Sequence, residues 1–170
     1  MANPTTVEEL LAYWPGNIPF KGSLVSDDGS CMCAQGQALH FLDGMSADDL
    51  RNLEQEEADK RVAELFGISR AHAVLLRIVN DRQGGAPSSV IRNPEQVLGD
   101  QAHVVLAFWR HLDRMTAKDW AAARATAWDA AGATNEIQGA AVMRANGFPF
   151  FFLPLFGFAD PESVIAADIK

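Results

Sequence analysis

Residues 148–158 read FPFFFLPLFGF, and this segment limits the possible fold more than any other. Six of the ten phenylalanines fall inside it. Pro149 and Pro154 remove backbone donors and fix φ, so neither a regular helix nor a central strand can run through it. That much apolar surface still has to be covered, either by the chain itself or by another molecule. The stretch just before it supplies a partner. Twelve of residues 117–146 are alanine, which favours helix, and Thr116 with Asp119 has capping-box spacing. A continuous helix there would be about 45 Å long, and a break near Gly132 fits equally well. Ala121, Ala125, Trp128, Gly132, Gly139 and Met143 fall near one face, so another helix can approach closely.

The rest of the chain reads as amphipathic helices in need of that partner. Thr5 or Thr6 opens the first, with Leu10, Leu11 and Trp14 as its apolar face, and Pro15-Gly16 ends it. Residues 17–30 are punctuated by Pro19, Gly22 and Gly29, which predicts an irregular segment or a short hairpin turning at Asp28-Gly29. Residues 31–42 follow as a short helix of small apolar residues. Ser46 opens a helix predicted to run unbroken to Phe66, stopped by Gly67. It holds seven acids and three bases. Residues 67–92 hold four arginines and one aspartate, so an acidic helix precedes a basic one, and the two are expected to pack as an antiparallel hairpin. Asn93-Pro94 starts a helix that continues to Met115 with Gly99 as a bend, and Asp160-Pro161-Glu162 starts the last one. The expected fold is all-α: a single helical domain over residues 1–170, a bundle of six to seven helices. A short irregular or hairpin segment near 17–30 and the apolar non-helical segment 148–158 pack on it.

Bulk composition narrows the function classes. The chain has 170 residues, 48% hydrophobic and 21% charged, with a net charge of −8. An acidic chain is a poor match for nucleic acid or an anionic membrane, so neither is expected as a partner. The apolar run ending at Ala159 is far below the roughly 20 residues a membrane span needs. No secretory leader is recognisable. Cys31 and Cys33 are too close for an unstrained bridge, so both are expected as free thiols in the cytoplasm.

Candidate sites come from three places. Glu136 lies on the close-packing helix face beside Asn135 and Gln138, and a carboxylate there needs an arginine partner from the basic segment. Asn80, Asp81 and Arg82 end that segment just before Gly84-Gly85. Together Asn80, Asp81, Arg82 and Glu136 read either as a polar pocket or as helix-end and ion-pair structure. Phe150, Phe151, Phe152 and Phe156 read either as buried packing or as an interface for a partner or a second copy. Cys31, Cys33 and His40 do not have a recognised zinc spacing, and Gln83-Gly84-Gly85 lacks the lysine of a phosphate loop, so no metal or cofactor is expected.

Trp14, Gly22, Cys31-x-Cys33-Ala34-x-Gly36-x-Ala38-Leu39, Ile78-Val79-Asn80-Asp81 and a valine near 90 together resemble an uncharacterised family of small bacterial and phage proteins. The likeness covers about the first half, and Gln35 and Gln37 depart from its pattern. The block from Ala130 through FPFFFLPLFGF is similar to a C-terminal module of phage-type proteins of unknown function. The resemblance implies a bacterial or phage origin and no activity. The leading expectation is an acidic, non-enzymatic protein that binds another protein. A small-molecule or catalytic pocket at Asn80 to Arg82 with Glu136, and self-assembly through 148–158, are the alternatives.

Overall fold

The computed structural model describes residues 3–83, 87–131, 150 and 153–168. The fold is all-α, with ten α-helices among the described residues. They are α1 (Val7–Tyr13), α2 (Ala34–Leu42), α3 (Ala47–Asn52), α4 (Gln55–Phe66), α5 (Arg70–Gln83), α6 (Ser88–Arg92), α7 (Glu95–Leu98), α8 (Ala102–Arg114), α9 (Ala117–Ala131) and α10 (Pro161–Asp168). Contacts group the chain into two compact units, Met1–Ala102 and His103–Lys170, each described by itself.

Ten helices stand among the described residues against the expected six to seven, because two long predicted helices are each divided and α6 (Ser88–Arg92) forms where no helix was expected. The predicted 46–66 helix breaks at Leu53 and Glu54, both extended (ψ 125° and 141°). A straight helix would set Leu50 and Val62 roughly 120° apart at about 100° per residue. Both are buried in one core, at 2% and 0% exposure, and the kink allows that. The predicted 93–115 helix divides at Gly99, whose φ of +79° closes α7 after a single turn.

The first unit packs α1, α2, α4 and α5 around Leu10, Leu11, Trp14, Leu39, Val62 and Leu76. The Trp14 ring stacks on Phe66 with centroids 6.2 Å apart. Helix starts follow the capping signals. Thr6 Oγ1 accepts from Glu9 N at 3.2 Å, while the Glu9 carboxylate accepts from Thr5 N and Thr5 Oγ1, both at 2.8 Å. Those bonds hold the Glu9 carboxyl below its ordinary value. Gly67, at φ +64°, ends α4, and the short link Gly67–Ser69 returns the chain as α5 against it.

The 17–33 segment is the expected irregular hairpin. A lone antiparallel bridge joins Val25 to Met32, and Ser26 N donates to Cys31 O at 2.8 Å. Asp28 Oδ1 accepts from Ser26 Oγ, Ser30 N and Ser30 Oγ, which holds its carboxyl down to about 2. The hairpin lies directly on α2. A Cβ at Gly36 would stand 1.9 Å from Leu24 O, and only glycine permits that approach.

In the second unit, residues 153–158 lie against α8. Leu153–Phe156 forms a 3₁₀ turn, and Gly157 reverses at φ +82°. Phe108 meets Phe156 edge to face at 5.1 Å and Phe158 at 6.4 Å, and Leu153, Phe158 and Val164 are buried. Asp160 Oδ1 caps α10 through Ser163 N at 2.8 Å. Its far end is held by Asp168, which accepts from Arg110 Nε at 3.0 Å and Arg114 Nη1 at 3.4 Å.

Candidate functional site

A concave surface is built by the α2–α3 connection, α3 and the outer face of α4. Asp43 ends α2, and Gly44 turns the chain at φ +72°. Met45 N then returns to Leu39 O at 3.1 Å, and Met45 O lies 2.7 Å from His40 Nδ1. Ser46 and Asp49 close a full capping box, with Ser46 N donating to Asp49 Oδ2 at 3.0 Å and Asp49 N to Ser46 Oγ at 3.2 Å. The Ser46 hydroxyl, donating to Asp49 Oδ2 at 2.6 Å, and then Ser46 N lower the Asp49 carboxyl.

Glu57, Arg61 and Glu64 share the outer face of α4, because positions spaced by four and three residues stack on a helix. Two adjoining cavities result. One, of about 520 Å³, is lined by Asp43, Met45, Asp48, Asp49, Leu53 and Arg61 among others. The other, of about 350 Å³, is lined by Asp43, Glu57, Arg61, Glu64 and Leu65. They share Asp43 and Arg61. The Arg61 guanidinium bonds Asp43 at 3.2 Å and Glu57 at 3.1 Å, which raises its proton affinity further. Five carboxylates thus face one guanidinium in the lining of the two cavities. Asp48 is paired with Arg51, outside that lining. The Glu64 carboxylate makes no ion pair or hydrogen bond among the described residues. Met45, Leu53 and Leu65 are half-buried and supply an apolar floor.

The inner face of α4 fixes the groove wall in place. Asp59, 6% exposed, points roughly opposite to Arg61 and enters a polar network inside the unit. Gln35 Nε2 donates to Asp59 Oδ1 at 2.7 Å and to Ala73 O at 3.1 Å, and Gln55 Nε2 donates to Gln35 Oε1 at 2.9 Å. Arg77 lies 3.4 Å from Asp59 Oδ2. The network ties α2, α4 and α5 together. Asp59 counted only as one of the seven acids of residues 46–66, and its inward role was not foreseen. The available signal was spacing, since Asp59 lies three and four residues before Val62 and Ala63, both buried.

Asn80 and Asp81 do converge, on the 17–22 loop. Asn80 is 1% exposed, and its Nδ2 donates to Phe20 O at 2.8 Å and to Asp81 Oδ1 at 3.0 Å. Asp81 Oδ1 also accepts from Gly22 N at 2.9 Å. Asn80 Oδ1 is buried without a hydrogen-bond partner among the described residues. Arg82 is exposed. Glu136 lies outside the described residues, as do Phe151 and Phe152. Phe150 and Phe156 are half-buried and pack beside Phe108, Leu153 and Phe158. A third cavity, of about 290 Å³, runs along Phe156 and is lined by His111, Met115, Asp119 and Thr126 among others. Burial first, and Arg114 second, push the His111 imidazole down.

Cys33 caps α2, its Sγ accepting from Gly36 N at 3.4 Å, and burial pushes its thiol up. Cys31 is exposed, and both cysteines are free. Among the described residues no group of three or more histidine, cysteine, aspartate or glutamate side chains is placed to hold a metal ion. Nor is any helix among them long and apolar enough to cross a membrane.

No family model, curated protein or solved structure matches this chain.

Proposed function

We propose that this chain is a non-enzymatic protein that acts by binding another protein through the acid-lined groove of α3 and α4. The observation that carries the reading is the shape and charge of that groove together. Five carboxylates and one guanidinium line two adjoining cavities over an apolar floor. Charge in a concavity is concentrated rather than spread, so it selects a cationic segment and speeds its encounter. Met45, Leu53 and Leu65 ask for apolar side chains between the partner's charges. The partner is therefore a lysine- or arginine-bearing segment with interspersed apolar residues. Free Cys31 and Cys33 support a reducing compartment such as the cytoplasm. The first-half sequence pattern adds a bacterial or phage setting.

The test is fluorescence anisotropy with a labelled peptide alternating lysine, arginine and leucine, against a glutamate counterpart. The variant carries Asp48→Lys, Glu57→Lys and Glu64→Lys and leaves the Asp49 cap intact. We expect the basic peptide to bind and the variant to lose at least about tenfold in affinity, or about 1.4 kcal/mol. Unchanged binding in a variant of unchanged helicity removes the groove from consideration.

A further inference from the structure

Ile18 and Phe20 are exposed at 62% and 44%, while Pro19 between them is buried. Ile18 and Phe20 thus form an exposed apolar pair on either side of the buried Pro19. Such exposure is ordinary on a loose loop, but this loop is fastened. Phe20 N donates to Met32 O at 2.9 Å, Phe20 O accepts from Asn80, and Gly22 N donates to Asp81. The Asn80 amide is correctly oriented, because both groups its nitrogen meets are acceptors. That orientation leaves Asn80 Oδ1 buried without a partner among the described residues, an arrangement that costs stability. The chain thus spends a core position on holding two apolar side chains in water.

Lys21 adjoins the pair in sequence, and Arg82 follows Asp81 at the end of α5. Both are exposed and neither is paired with an acid among the described residues. The loop therefore combines apolar side chains with the Lys21 cation, and the exposed Arg82 follows its anchor Asp81, on a chain of net charge −8. This is the chemistry the α3–α4 groove selects. Held at Phe20 N, Phe20 O and Gly22 N, the loop keeps a fixed place against α5 and Met32.

We propose that the occupant of the acid-lined groove is the Ile18–Lys21 loop with Arg82 of a second copy of this chain. The inference rests on the groove reading above and names its partner. Loop and groove are different surfaces of one unit, so the contact is head to tail and the assembly grows with concentration.

Sedimentation velocity tests this on the full chain. A loop variant carries Lys21→Glu and Arg82→Glu, with Phe20→Ser added. A groove variant carries Asp48→Lys and Glu64→Lys. All five positions are exposed, and circular dichroism checks that helicity is retained. The wild type should sediment faster as concentration rises, and each variant alone should stay monomeric. An equimolar mixture of the two should give a one-to-one dimer and nothing larger, because it holds one intact loop and one intact groove. Wild-type protein that is monomeric up to about 1 mM overturns the proposal. So do variants that associate alone, or a mixture that stays monomeric. If the groove still binds the basic peptide in those cases, the function reading stands and the self-docking falls. If it binds neither, both fall.

Discussion

Gly36 shows how one residue ties the hairpin to the helix beneath it. Its missing side chain lets Leu24 O lie where a Cβ would be 1.9 Å away, while Cys33 N donates to the same oxygen at 3.3 Å. The clash falls on backbone rather than on a side chain that could swing aside. Gly36→Ala should therefore destabilise the fold by about 3 kcal/mol or more, read from urea unfolding. A loss below about 0.5 kcal/mol would show that the hairpin yields freely. In the sequence, Gly36 was visible as part of a run of small residues and of the Cys33-Ala34-x-Gly36 pattern, neither of which gives its physical reason. What it approaches lies twelve positions upstream, which no local pattern encodes. Asp59 teaches the complementary lesson. A carboxylate on a close-packing face was expected to need an arginine from residues 70–92, and that argument was applied to Glu136. It describes Asp59 and Arg77.

At the scale of helices, starts were legible because caps are local chemistry. Thr6, Ser46, Thr116 and Asp160 each open a helix as their sequences imply. The break at Leu53 was not legible, since neither proline nor glycine marks it. It comes from the core's demand on Leu50 and Val62 together. Helix α10 carries a further consequence. Asp168 sits at its C-terminal end, where the helix dipole disfavours a negative charge. Arg110 first, with Arg114, more than offsets this and holds the carboxyl below its ordinary value. A lowered carboxyl adds stability above its unfolded value of about 3.9, and that stability is lost as pH falls through the folded value. Asp168→Asn should cost about 1–2 kcal/mol at neutral pH. The difference should vanish once the pH falls below the folded carboxyl's lowered value, both read from amide exchange in α10. An equal difference at both pH values would show that charge is not what holds the helix.

For the whole molecule, charge was legible and shape was not. The excess of 22 acids over 14 bases is plain in the sequence, and so is its concentration in residues 46–66. That those acids line a concavity depends on Gly44, the kink at Leu53 and the opposite-facing Asp59, three separated features that meet only on folding. If the groove works by concentrated charge, salt must weaken it, because the screening length drops from about 10 Å at 0.1 M to about 3 Å at 1 M. Basic-peptide binding should fall on the order of tenfold between roughly 0.05 and 0.5 M salt, measured by anisotropy. A salt-independent affinity would mean that the apolar floor alone does the binding.

Asn80 gives the loop its place and leaves one oxygen in the core without a hydrogen-bond partner among the described residues. An apolar residue of similar size would remove that defect and also release Phe20. Stability and display therefore pull this position in opposite directions. A lineage selected only to survive heat would discard Asn80 early. One that keeps it is preserving the loop's posture at the expense of its own melting point.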